Sequence, residues 1–235
     1  MIRGKESTSD RVLSAAAALL LLGALGMVFA YAPREAVMGE VQRLFYFHVS
    51  SAWVGMLSFV VAAVAGGLYL SRRQPYWDAV QVCSVEIGIV FGLLTILSGS
   101  IWARPIWNTW WTWDPRLVTT CVMELVYAAY LLLRQGIEEP QRQARFAAVY
   151  VIVGVVTVPI TFLSIHFLRT IHPSVFGSAE ASALGGFAMT PRMLETFLVS
   201  LLAFTVLYAT LLVYRVRLAL REVRLQERRS ALLSR

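Results

Sequence analysis

The sequence predicts an all-α, polytopic membrane protein with six transmembrane helices and both termini on the cytoplasmic side. Three observations carry this. Hydrophobic residues make up 58% of the 235-residue chain and charged residues only 15%, where a soluble domain carries roughly a quarter; the mean hydropathy is +0.65. Six apolar runs, at 12–32, 45–70, 80–102, 117–133, 146–168 and 193–214, approach or exceed the ~20 helical residues that cross a ~30 Å hydrocarbon core. With six spans, fifteen of the 21 basic residues fall on one side and six (Arg34, Arg43, Arg104, Arg116, Arg169, Arg192) on the other. Basic residues favour the cytoplasmic face, so residues 33–44, 103–116 and 169–192 form the outer loops.

Taken in order, the first run has basic residues ahead of it and Ala30-Tyr31-Ala32 near its end. Its apolar core exceeds the ~7–15 residues of a signal peptide, and Pro33 follows the would-be cut, so it reads as a retained helix. Gly88 and Gly92 give the third run the spacing of close helix packing. The fourth run is the shortest and contains Glu124 but no Gly or Pro. The chain reads as one transmembrane domain over 1–235, without a soluble domain or repeat. Its net charge is +7, but seven basic residues lie in 214–235, beside an apolar run. Membrane lipid, not nucleic acid, is the expected partner of that charge. The tail at 215–235 reads as a basic amphipathic helix on the membrane surface, with docking of a cytoplasmic partner as the alternative. Cys83 and Cys121 sit inside apolar runs, and no Cys-x-x-Cys pair occurs. No phosphate-binding Gly-rich loop is present, so the chain is not itself an ATPase.

The segment 102–116 reads WARPIWNTWWTWDPR and holds five of the seven tryptophans. An interfacial belt explains one or two per helix end. Large flat aromatic faces beside arginines suit a flat, apolar ligand bearing carboxylates, and haem is such a ligand. Composition leaves both readings open. His48 and His172 fall on the same side as this loop in the six-span topology. Each alone reads equally well as an interfacial hydrogen-bonding residue; together they could bind both faces of one macrocycle through iron. His166 reads as packing. Arg43, about one and a half turns further out than His48, and Arg104 and Arg116 are candidates for propionates or for snorkelling to the interface. Asp114 reads as holding Arg116 or capping the fourth helix. Glu86 lies near the cytoplasmic end and reaches the surface. Glu124 lies below the Trp-rich region and is protonated or paired, with a proton relay as the minor reading.

The stretch GSIWARPIWNTWWTWDPRL, with His48 in RLFYFHV and His172 in RTIHP, resembles the WWD signature of the haem-handling proteins of cytochrome c maturation. In length and number of spans the chain resembles the CcmC family, over nearly its whole length. The resemblance implies His48 and His172 as axial iron ligands. It implies Trp102, Trp107, Trp110, Trp111, Trp113, Asp114 and Arg116 as the haem-facing signature, joined by Arg43. The resemblance further implies non-covalent haem b as cofactor, held at the periplasmic face of a bacterial inner (plasma) membrane and delivered to a small periplasmic haem chaperone (CcmE-like). The implied partners are an ABC-type ATPase (CcmA-like), a second membrane subunit (CcmB-like) and a small helper (CcmD-like). The chain departs from the signature at Asn108, where the family usually has Gly, at Pro115, where Ala is common, at Val118 in place of a Thr, and at Phe167-Leu168. Three other functions compete: a permease or scaffold subunit without a haem site, a b-type electron-transfer subunit, and a larger haem-attaching synthetase, which the short chain disfavours.

Overall fold

Prolines and two left-handed residues punctuate the chain. In the computed structural model the described residues are 8–173 and 189–233; Arg3, Lys5 and most of the expected last outer loop lie outside them. Pro75, Pro115, Pro140 and Pro191 each open a helix, where the missing N–H costs nothing and φ is already helical. Arg73 (φ 54°) and Asn108 (φ 55°) end two of the helices in the left-handed region. The helices are α1 (Thr8–Gly26), prolonged by a π-helical turn to Tyr31, then α2 (Arg43–Arg72), α3 (Pro75–Trp107), α4 (Pro115–Gln135), α5 (Pro140–Gly154), α6 (Thr157–Phe167) and α7 (Pro191–Leu233). Among the described residues, six helical stretches are long and apolar enough to cross a membrane, with α5 and α6 forming one of them. The outer faces are apolar: Leu19, Leu97, Leu125 and Leu132 are 61% to 70% exposed, as lipid-facing side chains are.

The α2–α3 hairpin is the centre, with α7 and then α1 on one flank and α4–α6 on the other. Small residues let its two backbones approach. A Cβ on Gly55 would lie 3.4 Å from the Gly92 nitrogen, and one on Gly88 would lie 2.5 Å from the Phe59 ring. The glycine pair thus serves packing, as its spacing suggests. Phe59 in turn stacks on Tyr127 of α4 at 3.5 Å between ring centroids. At the end away from the tryptophans, Arg134 pairs with both oxygens of Asp78 (2.6 and 2.9 Å). Glu86 does not simply reach the surface: it pairs with Arg215 at 2.8 Å. Arg217 pairs with Asp10, and Ser14 meets the Tyr214 hydroxyl at 3.0 Å, fastening α1 to α7.

Three expectations are corrected. The third span continues to Trp107, so Trp102 and Trp107 sit on α3 and only residues 108–114 form the loop. The fifth span is two helices, because Pro159 lacks an N–H and its ring excludes the Val155 carbonyl one turn earlier. The tail is not a separate helix. It continues α7 without a break to a length of 43 residues, or ~65 Å at 1.5 Å per residue, twice what a bilayer needs.

Gly88→Ala should cost about 1–3 kcal/mol by forcing the Phe59 ring aside. Gly67, whose Cβ would meet nothing within 4 Å, should accept Ala without loss. Thermal unfolding of the detergent-solubilised chain, followed by helical circular dichroism, separates the two; equal losses would contradict the packing argument.

Candidate functional site

At the Trp-rich end of the bundle, α2, α3, α4 and α6 leave a cleft between them. It is lined mainly by aromatic and aliphatic side chains with a few polar ones, the make-up of a small-molecule site. Trp102, Trp107, Trp110, Trp111, Arg116 and Phe162 line it, as do Gly92, Met56 and Met123, which lie further from the Trp-rich loop along their helices. His48 and His172 both line it. Their rings lie 6.2 Å apart with 37° between planes. Two imidazoles bonded to one metal at ~2 Å each have ring centres about 6 Å apart, so the pair has the spacing of two ligands on opposite sides of an iron.

Hydrogen bonds assign the tautomer of each ring. Ser98 Oγ donates to the Thr95 carbonyl (3.2 Å) and therefore accepts from His48 Nδ1 at 3.0 Å. His172 Nδ1 donates to the Pro173 carbonyl at 3.1 Å. Both rings thus keep Nε2 free as a lone-pair donor. Gly99 seats the His48 ring: a Cβ there would lie 2.9 Å from His48 Cε1. Burial, then the nearby His48 and Arg116, hold the His172 imidazole well below the ordinary histidine range, so it remains neutral and able to ligate across physiological pH.

The position of His172 depends on Asp114. This buried carboxylate caps α4 by accepting from Arg116 N (2.9 Å). It also accepts from Thr170 Oγ1 (2.6 Å) and from Ile171 N (2.9 Å). Thr170 Oγ1 in turn accepts from His172 N at 3.0 Å. The Trp-rich loop and the histidine-bearing segment are therefore latched to one side chain. Arg116 serves two surfaces: its Nη1 donates to the Thr161 and Phe162 carbonyls of α6, while the side chain also lines the cleft. The indole Nε1 atoms of Trp102 and Trp107 are buried without a hydrogen-bond partner, and the two rings meet edge to face at 5.2 Å.

The model of the CcmC family, Heme exporter protein C, matches residues 5–231. The chain belongs to the CcmC family. Among its relatives, Heme exporter protein C of Bradyrhizobium diazoefficiens is 34% identical over 83% of this chain and 73% of its own length. That of Rhodobacter capsulatus is 30% identical over 93% of this chain and 90% of its own length, and that of Escherichia coli K12 is 30% identical over 80% and 74%.

In this CcmC-family chain the departure at Asn108 has a physical reason. The position ends α3 at φ 55° and ψ 24°, where Gly fits freely and Asn is the best-tolerated side chain. Arg104 holds the turn by donating to the Asn108 carbonyl (2.7 Å) and Oδ1 (2.9 Å). Not every candidate comes together. Arg43 does not line the cleft; its guanidinium binds the Val28 carbonyl and Glu40. Trp113 is 83% exposed and packs edge-on against Trp111 at 6.0 Å. His166, read from sequence as packing, lines the same cleft. The seat of His48, made by Thr95, Ser98 and Gly99, carried no signal, because a hydrogen bond across 50 residues of sequence leaves no local pattern.

Asp114→Ala should free the latch. Hydrogen–deuterium exchange at residues 168–173 should accelerate about 5- to 150-fold, as ~1–3 kcal/mol for stranding the buried donors implies, while exchange in α2 is unchanged. Unaltered exchange at 168–173 would show that the segment is held by something else.

Proposed function

We propose that this chain binds haem b non-covalently at the Trp-rich end, with His48 and His172 on the iron, and serves haem export in cytochrome c maturation. The observation that carries the proposal is the pair of imidazoles whose ring centroids lie 6.2 Å apart in the cleft, each with Nδ1 occupied and Nε2 free. The name Heme exporter protein C, borne by its relatives, supports the same reading. Trp102, Trp107, Trp110 and Trp111 cover the ring, exclude water and offer indole N–H groups. Arg116 answers a propionate with a charge-assisted hydrogen bond. Asp114 acts through position, by holding His172.

The two histidines are unequal, and this suggests how the cargo leaves. His48 is fixed on a long helix against Gly99. His172 sits outside any helix, on a segment tied through Asp114. An acceptor docking on the exposed Trp110 and Trp113 can displace His172 without unfolding a span. The acceptor in this reading is a periplasmic haem chaperone of the CcmE kind, and the chain works with CcmA-, CcmB- and CcmD-like subunits in a bacterial inner membrane, the cleft facing the periplasm. A b-type electron-transfer subunit fits less well, since its histidine pairs lie within the membrane and this pair lies at the end of the bundle.

Absorption spectra of the purified chain test the ligands. Wild type should give a six-coordinate haem spectrum, and His48→Ala or His172→Ala a five-coordinate one. Each should lose more affinity than the ~10–100-fold that removal of an outer-shell partner costs a metal site. Spectra indifferent to both changes would leave a permease or scaffold role. Arg116→Gln should lose about 10- to 100-fold in haem affinity and also the preference for haem over its dimethyl ester. Retained preference would move the propionate contact elsewhere.

A further inference from the structure

Glu124 lies on α4 two turns below Arg116 and is 7% exposed. Neither carboxyl oxygen has a hydrogen-bond partner, and the neighbouring Tyr127 hydroxyl has none either. The carboxyl occupies the notch left by Gly92: a Cβ on that glycine would overlap it. Glu124 does not itself line the cleft, but Gly92, against which its carboxyl packs, and Thr120 and Met123 of its own helix do.

The charges around it are few. On α4 the nearby titratable groups are Cys121 and Tyr127, with Arg116 eight residues up the helix, roughly 12 Å away along the axis. α3 carries no titratable residue between Ile87 and Ala103. On α5, Arg142 and Arg145 lie at the far end, and the Tyr150 hydroxyl donates to the Val126 carbonyl. α6 offers only His166. No described cation is close enough to offset the burial of a carboxylate inside a membrane, so the group is neutral.

We infer that Glu124 is a proton-binding site behind the Gly92 lining of the cleft, which keeps its proton while the cleft lacks a cationic ligand and releases it when the positive centre of a ligand enters. In the release step the carboxyl O–H bond breaks and the electron pair stays on the carboxylate. The proton passes to water and leaves by the mouth of the cleft, and the ligand's charge balances the carboxylate. The ring of His48 rests on Gly99 and the carboxyl on Gly92, seven residues or roughly 10 Å apart along α3. A unit positive charge at that range lowers the midpoint of Glu124 by about one pH unit at an effective dielectric of ~20. The release half of the inference rests on the haem reading; the proton-binding half does not.

Infrared difference spectroscopy of the full chain in lipid nanodiscs tests both halves. Without ligand at neutral pH, the carbonyl stretch of a protonated carboxylic acid should be present. It should shift in protein labelled with ¹³C-glutamate and be absent in Glu124→Gln. The labelled wild type identifies a glutamic acid even if the variant does not fold. Ferric haem, whose centre carries a net positive charge, should lower the titration midpoint of the band by about one pH unit. Metal-free protoporphyrin, with a neutral centre, should leave it in place. No glutamic-acid band at neutral pH overturns the site. Haem bound by absorbance with an unmoved midpoint overturns the coupling. If no haem binds at all, the haem reading fails and takes the coupling with it, while the band alone decides whether Glu124 holds a proton.

Discussion

The Asp114 carboxylate accepts hydrogen bonds from the first turn of α4 and from Thr170 and Ile171 beside His172. Remove it, and the Trp-rich loop and the second histidine have no described polar link to each other. Because Asp114 is buried, its oxygens are hydrogen-bonded by those donors rather than by water. The distance between the two imidazoles is therefore set through one side chain. The first imidazole needs no such device, since it stands on a 30-residue helix packed along its length against α3.

The cleft exists because one end of the bundle is loosely filled while the rest is tightly packed. Glycines at 55, 88 and 92 bring α2 and α3 together near the middle. Beyond them the cleft is lined by indoles and by α6, which parts from α5 at Val155 and Val156 ahead of Pro159. Arg116 crosses to the carbonyls of α6 and so joins α4 to α6. A residue that closes the structure and also faces the ligand couples cleft shape to ligand charge. That is a reason for an arginine rather than a lysine here, since its planar head offers several donors at once.

Much of this was legible in the sequence. Six spans followed from the length and apolarity of six runs, because hydrocarbon thickness fixes helix length whatever the packing. The convergence of His48, His172 and the tryptophans at one end followed from counting spans, since each crossing reverses direction. The cap at Asp114 was legible from Asp-Pro ahead of an apolar run. What depended on distant neighbours was not. Arg43 stands where a propionate arginine could stand, yet Glu40 and the Val28 carbonyl claim it. The run at 146–168 satisfies every length criterion, and its break at Val155 and Val156, just ahead of Pro159, shows only when the backbone is traced.

The sequence by itself determined the number of spans, the end at which the histidines and tryptophans gather, and the residue types available there, because hydropathy and helix rise act along the chain and need no partner. Only the tertiary structure decided which nitrogen of each imidazole is free, that Asp114 holds His172, that Arg116 rather than Arg43 faces the cleft, and that Glu124 has no counter-charge. Each of these is a contact between residues far apart in sequence, and hydrogen bonds and burial are properties of the assembled neighbourhood.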